Sequence, residues 1–226
     1  MYTSWIIFGA VMIISLIVSQ TLKAKFKAFS LVPTNFGLTG RDVAEKMLKD
    51  AGIYDVKVTS TPGQLTDHYN PVTKTVNLSE EVYNRASIAA AAVAAHECGH
   101  AVQHATAYVP LKLRSALVPA VSYASQWMSW VLLAGILLVN SFPQLLLFGI
   151  ILFAMTTVFS FITLPVEINA SQRALAWLNR SGVTNFETQP KAESALRWAA
   201  YTYVVAALGS LATLLYYIMV YSGRRE

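Results

Sequence analysis

Four stretches of this sequence are long and apolar enough to cross a lipid bilayer, a task that takes about 20 consecutive, mostly apolar residues. They run over residues 4–22, 120–139, 144–164 and 199–221. The turn from Asn140 to Pro143 joins the second and third, so residues 120–164 read as a transmembrane helical hairpin. The composition agrees: 55% of residues are hydrophobic and only 13% are charged, against about 25% charged in ordinary soluble domains. A purely soluble protein and a disordered one are both excluded. The first stretch lacks a basic leader and an A-x-A-like cleavage site, so it reads as a retained anchor and not as a signal peptide. A single cysteine, Cys98, excludes an intramolecular disulfide framework.

Charge placement predicts the orientation. Fifteen of the 17 Lys and Arg residues fall between the first and second stretches or between the third and fourth, among them Lys23, Lys25, Lys27, Arg173 and Arg197. Only Arg224 and Arg225 fall on the other side. The excess of basic residues marks the cytoplasmic side. Both hydrophilic segments, residues 23–119 and 165–198, are therefore expected in the cytoplasm, with the chain a multi-pass protein of the cell membrane. No dense Lys/Arg patch interleaved with aromatics occurs, so the net charge of +5 does not imply a nucleic-acid partner.

The two hydrophilic segments are expected to form one small α+β domain. Thr39 and Asp42 have capping-box spacing, followed by a helix with Val43, Met47 and Leu48 on one face and Gly52 as its stop. Val56 and Val58 alternate with polar residues, a strand pattern. The runs LTDHY and KTVNLS read as two strands of a hairpin turning at residues 70–73. Ser79 is the expected cap of one long helix from Glu80 to Tyr108, with Glu80 and Glu81 in its first turn.

That helix carries the sequence His96-Glu97-Cys98-Gly99-His100, an HExxH. Residues four apart lie one turn apart on one helix face, so both imidazoles can reach one metal ion. Glu97 can touch a water on that ion without being a ligand. Zinc lowers the pKa of such a water to about 7, and a neighbouring glutamate can take its proton as it attacks a polarised carbonyl. With four histidines in 226 residues, random placement gives about 0.002 copies of the motif. Cys98 points away from His96 and reads as a buried small residue.

A catalytic zinc takes three protein ligands and keeps one position open. His104 lies about 12 Å along the helix axis from His96, too far for all three imidazoles to meet comfortably; it reads as a polar contact for substrate or for the ligands. Glu167, just after Leu164-Pro165 at the end of the third stretch, is better placed, with small Ala170, Ser171 and Ala174 on the turns that follow. The residues alone leave Glu167 either as third ligand or as a solvated carboxylate at a helix end. Glu187 and Glu193 fall in what reads as a polar, proline-containing loop. His68 and Tyr69 sit on the hairpin just before the HExxH helix, where an extended substrate can add to a sheet edge and either side chain can face the oxyanion.

Two longer runs carry a resemblance. DHYNPVTKTVNLSEEVYNRASIAAAAVAAHECGHAVQH, residues 67–104, followed far downstream by LPVEINASQRAL, residues 164–175, resembles the bacterial membrane-bound neutral zinc metallopeptidases, the YugP-like family. The resemblance covers nearly the whole chain, four-span layout included. It implies a zincin-like domain related to the gluzincins, with His96, His100 and Glu167 as zinc ligands and Glu97 as catalytic base. Many gluzincins have an Asp four residues after the third ligand to orient a ligand histidine. Here Ser171 stands at that position, with Asn169 nearby and Arg173 available either to support the site or to meet lipid headgroups.

The sequence reading is thus an integral membrane, mainly α protein: four transmembrane helices and a small cytoplasmic α+β zincin-like domain. The expected activity is zinc-dependent cleavage of peptides or membrane proteins close to the inner membrane surface. An intramembrane-cleaving protease is one alternative, in which residues 86–108 themselves cross the bilayer. A scaffold with a structural zinc is the other.

Overall fold

A computed structural model describes residues 2–223; Arg224 and Arg225, the two basic residues counted against the orientation, lie outside the described residues. The fold is mainly helical. Helices α1 (Tyr2–Phe29) and α2 (Gly40–Asp50) are followed by strands β1 (Lys57–Thr61), β2 (His68–Asn70) and β3 (Thr75–Ser79). Then come α3 (Glu80–Asn84), α4 (Ile88–Ala105), α5 (Val109–Leu137), α6 (Pro143–Arg180) and α7 (Gln189–Ser222). By length and composition α1, α5, α6 and α7 can each cross a membrane. The chain divides into two compact units.

One unit takes in the chain up to Ile17, Lys112–Leu164 and the chain from Thr202. Its helices are apolar all round, the mark of helices with no water-facing side, and Ile13, Ile14, Leu133, Phe148 and Ile151 point outward. Inside it, α5 and α6 meet closely where Gly135 lies against the Leu146 backbone. Small residues permit such close approach between membrane helices. Leu132, Leu146 and Ile150 pack with Leu214 and Tyr217. Helix α5 starts at Val109, eleven residues before the expected span, and runs through Pro119. One proline removes a single backbone bond and need not end a long helix.

The other unit holds Val18–Leu111 and Pro165–Tyr201. The Thr39 and Asp42 capping box forms as expected, and Val43, Ala44, Met47 and Leu48 of α2 are buried. Gly52, at φ +71°, turns the chain out of the helix. The sheet has the order β1-β3-β2. β3 pairs parallel with β1 and antiparallel with β2. On β3, Val76 and Leu78 point into the core and are fully buried, the alternation a pleated strand imposes. At the hairpin turn the Asn70 side chain accepts from the N–H groups of Val72 and Thr73.

Three expectations fail here for tertiary reasons. The helix expected from Glu80 to Tyr108 is two helices, α3 and α4. Between them Ile88 N–H donates to Val32 O and Arg85 O accepts from Gly40 N–H. Those long-range bonds take the place of a continuing helix, and Ser87 caps α4 by accepting from Ala90 N–H. Ser79 makes no side-chain cap; its N–H and hydroxyl donate to Asp67 instead. Glu193 lies on α7 and not in a loop, and pairs with Arg197 one turn on.

Helix α4 is alanine-rich because neighbours surround it. Ala90, Ala91, Ala92, Ala94 and Ala95 are all buried. Helix α6 runs unbroken through Pro165, which neither ends nor divides it. Gly99 of α4 meets α6 so closely that a β-carbon there lies 2.6 Å from Ala170 O. Overpacking of this kind costs about 1–3 kcal/mol. Gly99→Ala is therefore expected to lower the thermal midpoint in detergent, whereas Gly9→Ala, with nothing within 4 Å of its β-carbon, is not. Equal midpoints for the two variants contradict the close approach of α4 and α6.

Candidate metal centre

Helix α4 presents His96 and His100 on one face, and α6 presents Glu167 to them. The Nε2 atoms of His96 and His100 lie 3.3 and 3.7 Å from Glu167 Oε2. The two rings stand nearly perpendicular, with centroids 4.8 Å apart. One ligand atom from each of the three residues falls within 4.8 Å of the others, a group able to hold a metal ion. Atoms about 2.0–2.2 Å from a tetrahedral zinc lie about 3.3–3.5 Å from each other. The two His–Glu spacings lie close to that range, and the donor set fits zinc in chemistry. Glu97 is not part of this group.

Glu167 is 3% exposed, three residues beyond the apolar stretch that ends at Leu164. Burial pushes its carboxyl upward, but hydrogen bonds and charge from His100 and His96 outweigh that and hold it well below the usual carboxylate range. Burial pushes His100 down. The Glu167 carboxylate and the charge of Glu97 reverse this and leave its imidazole above its ordinary value.

The surrounding residues hold the three in place. Ser171, one turn beyond Glu167, sets its Oγ 3.1 Å from His96 Nδ1. Gln103 Oε1 lies 3.1 Å from His100 Nδ1. Gln103 Nε2 donates to Val166 O at 2.8 Å and to Asn169 Oδ1 at 3.0 Å. Arg173 Nε donates to the same Asn169 oxygen, and its guanidinium lies over the Tyr108 ring. Glu97 Oε2 accepts from Tyr69 N–H at 2.9 Å. Strand β2 thus fixes the glutamate through its backbone.

Other sequence candidates fall elsewhere. His104 is exposed and lies outside the three-residue group; its Nδ1 is 2.8 Å from the Tyr69 hydroxyl. His68 is exposed too, between Thr66 O at 2.7 Å and the Asn77 amide at 3.2 Å. Asp67 is taken up by Ser79. The residue sequence reasoning missed is Gln103, which is fully buried. Its signal was present: an amide three residues after His100, on the same face of an otherwise apolar helix.

Two imidazoles and a carboxylate, beside a glutamate held by a strand edge, make a cluster able to hold a metal ion. The chain matches the family described as "Putative neutral zinc metallopeptidase" over residues 4–222. The chain belongs to this family. It is 42% identical over 205 residues to "Putative membrane protease YugP" of Bacillus subtilis (strain 168), covering 91% of this chain and 90% of that protein. No solved structure matches the chain.

Cys98, inside the HExxH run, faces Ala44 O and is fully buried. Burial, and then the charge of Glu97, push its thiol far above the ordinary range. A thiol so placed is neither nucleophile nor ligand. In the folded protein Cys98 is expected to resist alkylation for hours and to react within minutes once denatured. Fast alkylation of the native protein contradicts its burial.

Proposed function

We propose that this protein is a membrane-anchored zinc endopeptidase that cleaves peptides or membrane proteins beside the inner membrane surface. The observation that carries the reading is the convergence of His96, His100 and Glu167, with Glu97 adjacent but outside the ligand group. Three protein ligands are the number of a catalytic zinc site, whereas a structural site uses four. When bound, zinc supplies a Lewis acid that polarises the peptide carbonyl and acidifies a water.

The chain's own residues supply the rest. His96 and His100 offer neutral nitrogens, and Glu167 adds one negative charge in a dry setting, where it acts most strongly. Glu97 takes the proton of the attacking water and returns it to the departing amine. Tyr69 N–H holds one Glu97 oxygen, which leaves the other to carry that proton. His68, Tyr69 and His104 stand on the hairpin side of the HExxH helix, where an extended peptide can lie along β2. The membrane location rests on four apolar helices and on the named membrane protease to which the chain is similar. The cytoplasmic orientation rests on the basic residues flanking those helices. Cleavage near the bilayer follows from Glu167's place just past the third apolar stretch.

The purified protein is expected to hold about one zinc per chain, as two imidazoles and a carboxylate favour that ion. Glu167→Ala weakens zinc binding strongly and His104→Ala does not; the reverse order in a competition titration transfers the ligand role to His104. Glu97→Gln keeps the zinc and loses about 10²–10⁴-fold in hydrolysis, the usual scale of a general base. A metal-loaded Glu97→Gln protein that cuts a peptide at the wild-type rate removes Glu97 from that role.

Orientation is tested separately. On a Cys98→Ala background, Lys74→Cys and Gln189→Cys are expected to escape an impermeant maleimide in intact cells and to react once the membrane is opened. Labelling of either in intact cells reverses the topology.

A further inference from the structure

Gln103 is fully buried, and its amide contacts three groups whose polarity can be read without locating any hydrogen. A backbone carbonyl only accepts, so the Gln103 atom 2.8 Å from Val166 O is the nitrogen. Turning the amide over would set two oxygens against each other. The second amide hydrogen goes to Asn169 Oδ1 at 3.0 Å. The orientation of Asn169 is itself fixed, since Arg173 Nε lies 2.8 Å from that same oxygen and can only donate. Both Gln103 hydrogens are used, and what faces His100 Nδ1 at 3.1 Å is an acceptor. The imidazole must be the donor there.

We propose that Gln103 is a positioning residue of the metal centre: it holds His100 as the Nδ1–H tautomer, so that the Nε2 lone pair is free for a metal ion held jointly with Glu167, and it ties the two ligand-bearing helices together. The proposal rests on the zinc reading above. A neutral imidazole donates from one nitrogen and offers a lone pair on the other. With Nδ1 donating to Gln103, the free lone pair sits on Nε2, the atom 3.7 Å from Glu167 Oε2. The same amide grips Val166 O, the carbonyl directly before Glu167. One side chain therefore sets both the tautomer of an α4 ligand and the position of the α6 backbone that carries the third ligand. Ser171, beside His96 Nδ1, cannot impose polarity in this way, because a hydroxyl both donates and accepts. Asn169 and Arg173 extend the chain of fixed donors outward, which gives both residues a part in the site without contact with the metal.

Two measurements on the full-length protein in detergent test this. The first uses wild-type protein carrying ¹⁵N only in histidine, loaded with zinc. Four histidines in the chain give four sets of long-range ¹H–¹⁵N correlations. His100 is expected to show a protonated Nδ1 and a metal-bound Nε2; metal on Nδ1 overturns the proposal. The second is Gln103→Met, similar in length and without hydrogen bonds, titrated with zinc against a chelator. Loss of such a supporting bond weakens metal affinity by about 10–100-fold, and a loss of less than about tenfold overturns the role. The first measurement needs no variant, so a misfolded Gln103→Met leaves the test intact. Wild-type protein that takes up no zinc defeats the zinc reading and this proposal together. Wild-type protein that binds zinc through Nδ1 of His100, or a Gln103→Met protein that binds zinc as wild type does, defeats the role of Gln103 alone.

Discussion

A carboxylate buried to 3% exposure keeps its charge only if partners replace the water it has lost. For Glu167 those partners are the imidazoles of His96 and His100, and much of the second unit is arranged to bring them to it. His96 and Glu167 are 71 residues apart in the chain, on two helices that must approach closely. Gly99 and Ala170 allow that approach, since any side chain at Gly99 would strike the α6 backbone. Gln103 then ties the two helices together beside His100 and Glu167. The requirement for a charged group in a dry place thus accounts for a glycine, for a buried amide, and for the small residues one turn beyond the glutamate.

The same logic explains the make-up of α4. A helix surrounded on nearly all sides has little room for large side chains, and alanine fills that space while favouring the helix. Its few large or polar residues are therefore conspicuous. His96, His100 and Gln103 address α6, Glu97 addresses β2, and His104 pairs with the Tyr69 hydroxyl. Strand β2 is short, but its position is fixed. Pairing with β3 sets its register, Asp67 anchors its entry through Ser79, and the Tyr69 N–H is thereby aimed at Glu97. A three-residue strand thus determines where the Glu97 carboxylate lies.

The other unit obeys a different solvent. Its helices expose isoleucine, leucine and phenylalanine outward, a costly arrangement in water and the favourable one in hydrocarbon. Contact among them rests on glycine and on interlocking aromatics. Phe8 meets Tyr216 edge to face, as Phe153 meets Tyr217. Burial of apolar surface cannot drive helix association within a lipid phase, so close fit takes its place.

By itself the sequence determined the features whose causes are local. Apolar length set the four long helices, the i,i+4 rule put His96 and His100 on one face, capping-box spacing started α2, and an Asn-Pro turn closed the hairpin. Spacing and resemblance also pointed to Glu167. Only the tertiary structure decided what depends on which surfaces meet. It split the helix expected from Glu80 to Tyr108, because Val32 and Gly40 claim backbone groups at the break. It gave Ser79 to Asp67, carried α6 through Pro165, and brought Gln103 and Ser171 to the imidazoles of His100 and His96. Caps and periodicity act over a turn or two of chain and can be read in order. A hydrogen bond between residues 63 apart, such as that from Gln103 to Val166, leaves no local pattern, because its geometry exists only once the helices have packed.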